Sequence, residues 1–236
     1  MELDLDFMYA TFFKILAGIS TTLELTVLAL AIAAPIAFYM AVLRIRQAWL
    51  GGSAVRLYVS FVRGTPIILQ ILLLYSLLPS LLNAAVQGLG IDFNVFDNID
   101  PFWYAVIVFS LNTIALMSEV FRSALLSVSR GQLEAGLSIG LSKWETYAHI
   151  IVPQAMVVAL PNLCNITVNL IKGTSLAFLM TVKDVLAIGK IAASFCYNYI
   201  ESYIDVFFVY IILCTLIQAG YSLAETRVGT FRGAHS

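Results

Sequence analysis

Asn165 and Asn169 stand four residues apart in an otherwise apolar stretch, so a helix puts both amides on one face. Close behind comes Lys172-Gly173-Thr174-Ser175, a run too polar to lie against hydrocarbon, and Pro161 just upstream leaves a backbone carbonyl without its helical partner. Irregular backbone at membrane depth is tolerated where it lines protein or water, and helix ends there suit the charged groups of a solute. The chemistry these residues offer is hydrogen bonding to a polar cargo. Asn165 and Asn169 could equally join helices to one another, as polar residues in membranes often do. Thr65 and Gln70, one helical turn apart in position, could add further hydrogen bonds. Bond-breaking chemistry is disfavoured, because no paired aspartates, HExxH or Ser-Lys/His set lies within the apolar runs.

The elements that carry these residues are membrane spans. The chain has 236 residues, 61% hydrophobic and only 11% charged, with a mean hydropathy of +0.92. Soluble chains hold roughly 45–50% apolar and about 25% charged residues. A net charge of −1 gives no footing for nucleic acid. The acidic start, MELDLDF, is the reverse of a signal peptide's basic start and is expected to be retained. Cys164, Cys196 and Cys214 have no metal or redox spacing and are expected to be buried filler.

A span needs about 20 apolar residues. The charge-poor runs predict an all-α membrane protein of one domain, 1–236, with five spans near 17–43, 56–84, 101–122, 145–171 and 204–224. Pro101 suits the first turn of the third. Pro153 and Pro161 predict a kinked or broken fourth, and a short helix is expected near 183–195. Arg44, Arg46, Arg56, Arg63, Arg122, Arg130, Lys143, Arg227 and Arg232 fall on one side, against Lys14, Lys172, Lys183 and Lys190 on the other. The excess of Lys and Arg makes the first side cytoplasmic and the N-terminus external, with Asp92, Asp97 and Asp100 outside.

Within the spans, charges mark function or a partner. Glu24 either lines a pathway or stays hydrated at the outer interface. Glu119 and Arg122, three apart, can neutralise each other. Arg122 and Arg130 are expected to set topology or bind lipid phosphate, and His149 to sit at the interface.

The loop 129–144 is the longest stretch that is not simply greasy. Ser129 with Gln132, and Ser142 with Glu145, have the spacing of capping boxes. Gly140 sits where a helix needs a left-handed terminating residue. A short cytoplasmic helix over about 130–140, a tight turn and re-entry into span four are predicted. The stretch GLSIGLSK has neither the glycine spacing nor the Lys-Ser/Thr pair of a phosphate loop, so the chain itself offers no cradle for ATP.

Glu134-Ala135-Gly136, then Gly140, Ile150, Val152 and Pro153, resemble the cytoplasmic signature of ATP-binding-cassette importer permeases: EAA, three residues, G, nine residues, I-x-L-P. This copy departs at Gly136 (for Ala) and Val152 (for Leu). Arg63-Gly64-Thr65-Pro66 with Gln70, Glu119-Val120-Phe121-Arg122 before Gly131-Gln132, and Leu160-Pro161-Asn162 through Leu176 resemble the polar-amino-acid branch of that family. The resemblance implies a multi-pass permease subunit of the prokaryotic plasma (inner) membrane. It would work as a dimer, homo- or heteromeric, with ATPase subunits that bind the ATP and Mg and an extracytoplasmic substrate-binding protein. Glu134, Ala135, Gly136 and Gly140 would couple to the ATPase. Glu24, Thr65, Gln70, Asn165, Asn169, Lys172, Thr174 and Ser175 are the pathway candidates. Family members often carry acids where Gly173 and Ile166 stand here, so a neutral or zwitterionic amino acid, cystine included, is expected over a cationic one. An ATP-independent channel or secondary carrier is the alternative.

Overall fold

A computed structural model describes residues 3–46, 49–91 and 94–233. Asp92 of the acidic loop lies outside the described residues, as do the side chains of Asp97 and Arg232. Among the described residues there are helices and no strands. Five stretches are long and apolar enough to cross a bilayer: Leu5–Ile45, Ile67–Gly88, Pro101–Ser127, Lys143–Met180 and Tyr199–Arg227.

The first stretch is two helices, α1 (Leu5–Leu16) and α2 (Gly18–Ile45). Asp4 starts α1 by accepting from the Phe7 amide at 2.9 Å. The joint at Gly18 is fixed by packing: a β-carbon there would lie 2.6 Å from the backbone N of Val185. Along α2, Ala29, Ala33, Ala37 and Ala41 repeat every four residues and are fully buried. This smooth stripe lets α6 (Pro101–Ser127) and α9 (Val152–Thr174) approach closely. Ala33, Ala37 and Ala41 pack with Ile114, Met117 and Phe121 of α6 and Ala155 and Ala159 of α9, forming the core. Pro101 opens α6, as the sequence implies, and Asp100 caps it by accepting from the Phe102 amide.

The second predicted span is interrupted. It divides into α3 (Trp49–Gly64) and α4 (Ile67–Gly88), with Pro66 extended at ψ 134°. Proline has no amide hydrogen and pushes the preceding residue out of the helical region, so the chain breaks at Thr65–Pro66. Averaged hydropathy runs straight across this point and hides it.

A short α5 (Val95–Asn98) precedes α6, and α7 (Arg130–Ser138) follows it. Next come α8 (Lys143–Thr146), a π turn at Tyr147–Ile151, and α9. The irregularity near Pro153 is this π turn, which ends at Ile151, and the helix runs on through it without a break. Pro161 likewise lies inside an unbroken α9. Thr174 is followed by a 3-10 turn, Ser175–Met180, ending at left-handed Thr181 (φ 61°). Then come α10 (Val185–Cys196) and α11 (Tyr199–Gly233), which runs well beyond the predicted 204–224. Of the cysteines, Cys214 is buried and Cys164 half-buried, but Cys196 is exposed. It is the last residue of α10, just before left-handed Tyr197 turns the chain away.

Candidate coupling loop and solute pathway

The loop between α6 and α9 is closed by two Schellman bonds, a capping box and one close packing contact. Gly140 adopts φ 89°, and its amide donates to Leu137 O at 3.1 Å while Leu141 N donates to Gly136 O at 3.1 Å. That pair of bonds is a Schellman stop, which needs a left-handed residue where Gly140 stands. Ser142 N donates to Glu145 Oε2 at 2.8 Å and Glu145 N to Ser142 Oγ at 3.2 Å, completing a capping box. The other expected box does not form: Ser129 Oγ accepts from Gly131 N at 3.3 Å, without the reciprocal arm from Gln132. Finally, α7 lies against α8 at Gly136, where a β-carbon would sit 2.5 Å from Cγ2 of fully buried Thr146.

From α8 the π turn carries the chain into α9 without a loop, and His149 Nδ1 lies 3.0 Å from Glu145 O. The outer side of this assembly is partly apolar. Ile139 is 76% exposed and Trp144 78%, with Leu137 beside them and Glu134 and Ala135 exposed on α7. The sequence reading did not single out Ile139 and Trp144, although large apolar side chains in a polar loop are the available signal for an exposed apolar patch.

On α9, Asn162, Asn165, Asn169 and Lys172 are exposed along one side, while Leu163, Ile166, Leu170 and Ile171 are buried on the other. Neither Asn165 nor Asn169 has a side-chain hydrogen bond to the described residues. Thr174 lies apart from them: it is fully buried and donates to Ile171 O at 2.7 Å. Ser175 donates to Lys172 O at 2.7 Å. Gly173 faces Phe109, whose Cε1 would lie 3.8 Å from a β-carbon at that position.

Thr65 and Gln70 close the α3–α4 break. Gln70 Nε2 lies 2.9 Å from Val62 O, 3.1 Å from Thr65 O and 2.8 Å from Thr65 Oγ1. Its other end accepts from Asn112 Nδ2 of α6 at 3.1 Å. The side chain thus satisfies carbonyls that Pro66 leaves unpaired. Glu24 is exposed on α2, in the turns after Gly18.

Glu119 has more partners than Arg122. Its Oε1 accepts from Arg44 of α2, its Oε2 from Arg122 Nε at 3.1 Å, and Arg63 of α3 stands 3.8 Å away. Three helices therefore converge on one carboxylate, two turns before α6 hands over to α7. At the opposite end of α9, buried Asp184 caps α10 and accepts from the Leu186 and Ala187 amides and from Tyr210. Burial pushes its carboxyl above the usual aspartate range, against the pull of those donors.

Comparison with known proteins gives a consistent answer. The family described as "Binding-protein-dependent transport system inner membrane component" matches residues 33–230. The L-cystine transport system permease protein TcyB of Bacillus subtilis is 34% identical, over 96% of this chain and 92% of that protein. TcyL, of the same description and organism, is 33% identical over 90% and 86%. The octopine transport system permease OccM of Rhizobium radiobacter is 30% identical over 95% and 90%. Among solved structures, one described as an amino acid ABC transporter with histidines superposes with a TM-score of 0.79 at 26% identity, covering 96% of this chain and all of that one. The MetNI methionine transporter shares the fold, with a TM-score of 0.68 at 15% identity.

Proposed function

The chain belongs to the family of binding-protein-dependent transport system inner membrane components, and from that premise we propose that it carries a neutral or zwitterionic amino acid. It is a multi-pass permease subunit, and such systems hydrolyse ATP in a separate chain. Cystine is the favoured cargo. Two of the relatives are cystine permeases, and the exposed side of α9 carries amides and Lys172 but no carboxylate of the kind a cationic side chain would want.

The observation that carries this reading is the unpaired Asn165–Asn169 side of α9, joined to the cytoplasmic loop by one continuous π-to-α rod. Two exposed amides facing lipid would be costly, so that side belongs against a second permease copy or an aqueous pathway. A dimer built across it would place both amide pairs, with Lys172, along the solute's route. Thr65, Gln70 and Thr174 contribute by holding their helices, since their polar groups are already engaged within the chain. Glu24 serves on the external half of α2.

Coupling runs through α7. Glu134, Ala135, Ile139 and Trp144 form the surface that meets the ATPase, which holds the ATP and Mg. Gly136 and Gly140 give the loop its stiffness. The Lys and Arg asymmetry puts this loop in the cytosol and α10 outside, where a substrate-binding protein delivers cargo. The test is uptake into proteoliposomes containing the permease with its ATPase. Uptake of cystine should require ATP, the ATPase and the binding protein, and fail with any one omitted. Uptake without ATP would instead support an autonomous channel or carrier.

A further inference from the structure

Around Glu119 three guanidiniums meet one carboxylate, leaving a local charge of +2. Arg44 is 14% exposed and bonded to Glu119. Arg122 spends Nε and one terminal nitrogen on it, at 3.1 and 3.0 Å. Arg63 differs. It stands 3.8 Å from Oε1, beyond hydrogen-bonding reach, and its side chain is 54% exposed. No other acceptor for it occurs among the described residues. A guanidinium has five donors in a planar fork matched to phosphate, so this cluster has unused anion-binding capacity.

The surface beside it selects the kind of anion. Arg56, Ser60 and Arg63 are exposed along one side of α3, while Leu57 (74% exposed) and Phe61 (60%) form an apolar strip next to them. A basic strip flanking an apolar one is the surface that an interfacial lipid meets.

We propose that α3 holds an anionic phospholipid, its phosphate between Arg63 and Arg122 and an acyl chain along Leu57 and Phe61. A free phosphate would leave the apolar strip uncovered. A zwitterionic headgroup would bring its own cation to a site that already has surplus positive charge. The orientation in which this end of the bundle is cytoplasmic adds a source, since the cytoplasmic leaflet is the anionic one.

The experiment is native mass spectrometry of the full chain in detergent, titrated separately with phosphatidylglycerol, phosphatidylcholine and inorganic phosphate. Saturable binding of phosphatidylglycerol in preference to phosphatidylcholine is expected, undisturbed by inorganic phosphate. Arg63→Gln should weaken it about fivefold, the worth of one basic residue near a membrane surface. Ser60→Glu should weaken it at least as much while leaving the Glu119 contacts intact, with folding checked by gel filtration. Equal binding of both lipids, displacement by inorganic phosphate, or wild-type affinity in both variants would overturn the assignment. So would a dimer that excludes lipid from α3.

Discussion

Gly136 of α7 faces Thr146 of α8 so closely that a β-carbon at position 136 would sit 2.5 Å from Cγ2 and 2.7 Å from Oγ1 of the threonine. Thr146 cannot easily yield, because it is fully buried and its hydroxyl donates to Ser142 O at 2.9 Å. The glycine that departs from the permease signature is therefore matched to its neighbour. Gly136→Ala should destabilise the loop by about 1–3 kcal/mol through overpacking, despite the better helix propensity of alanine. Adding Thr146→Ala leaves a closest contact of 3.2 Å, to its Cβ, and should restore most of the loss. A double-mutant cycle on thermal unfolding measures this, and simply additive losses would contradict the pairing.

Gly140 is a second constrained position, for a different reason. Its φ of 89° meets open space, so backbone conformation rather than volume excludes a side chain. Gly140→Val should cost roughly 1–2 kcal/mol locally and loosen the turn. ATP hydrolysis should then proceed with reduced uptake, while affinity for the loaded binding protein is unchanged. Gly140→Asn, which tolerates the left-handed region, should retain far more coupling. Equal behaviour of the two variants in paired ATPase and uptake assays would argue against a backbone origin.

Gln70 is a splint for the α3–α4 break. Removing it orphans Val62 O and Thr65 O together with Asn112 Nδ2. Gln70→Leu should cost about 1–3 kcal/mol, and Asn112→Leu less, since it removes one bond and leaves the carbonyls served. Thermal unfolding of the two variants in detergent should rank them in that order. A larger loss in the asparagine variant would place the critical contact elsewhere.

Glu119→Gln leaves Arg44, Arg63 and Arg122 facing one another without a counter-charge. Glu119 is 20% exposed, which sets this cluster between surface pairs of about 0.2–1 kcal/mol and buried ones of about 3–5 kcal/mol. A loss of about 2 kcal/mol is expected, partly relieved by a second change, Arg44→Gln. Unrelieved loss in the double variant, read by denaturant midpoint, would show that charge is not the cause.

The spans were legible because a bilayer demands long uncharged runs, and Pro101 and Ser142–Glu145 announced helix starts by local chemistry alone. Locality also explains the misses. Arg44 and Glu119 are 75 residues apart, and no short-range pattern joins them. Thr146 gives no sign in the sequence that it fills the space above Gly136. The Thr65-Pro66 break was visible in the residues but lost in averaged hydropathy. Ser129 with Gln132 has the same spacing as Ser142 with Glu145, yet only the second closes. A carboxylate accepts an amide more strongly than a neutral side-chain oxygen does, and only the second pair has one. The pathway candidates divide on burial: Asn165 and Asn169 are free to meet a solute, and Thr174 is not.

In the proposed mechanism, cargo passes along α9 and the work arrives through α7. Asn165→Leu/Asn169→Leu and Trp144→Glu test the two halves in one assay: cystine uptake and ATP hydrolysis by the reconstituted complex, measured in parallel. The α9 variant should assemble and hydrolyse ATP but lose most uptake. The α7 variant should lose both, by failing to bind the ATPase. Wild-type uptake in the α9 variant, or an intact ATPase complex with full uptake in the α7 variant, would rule out this division of roles.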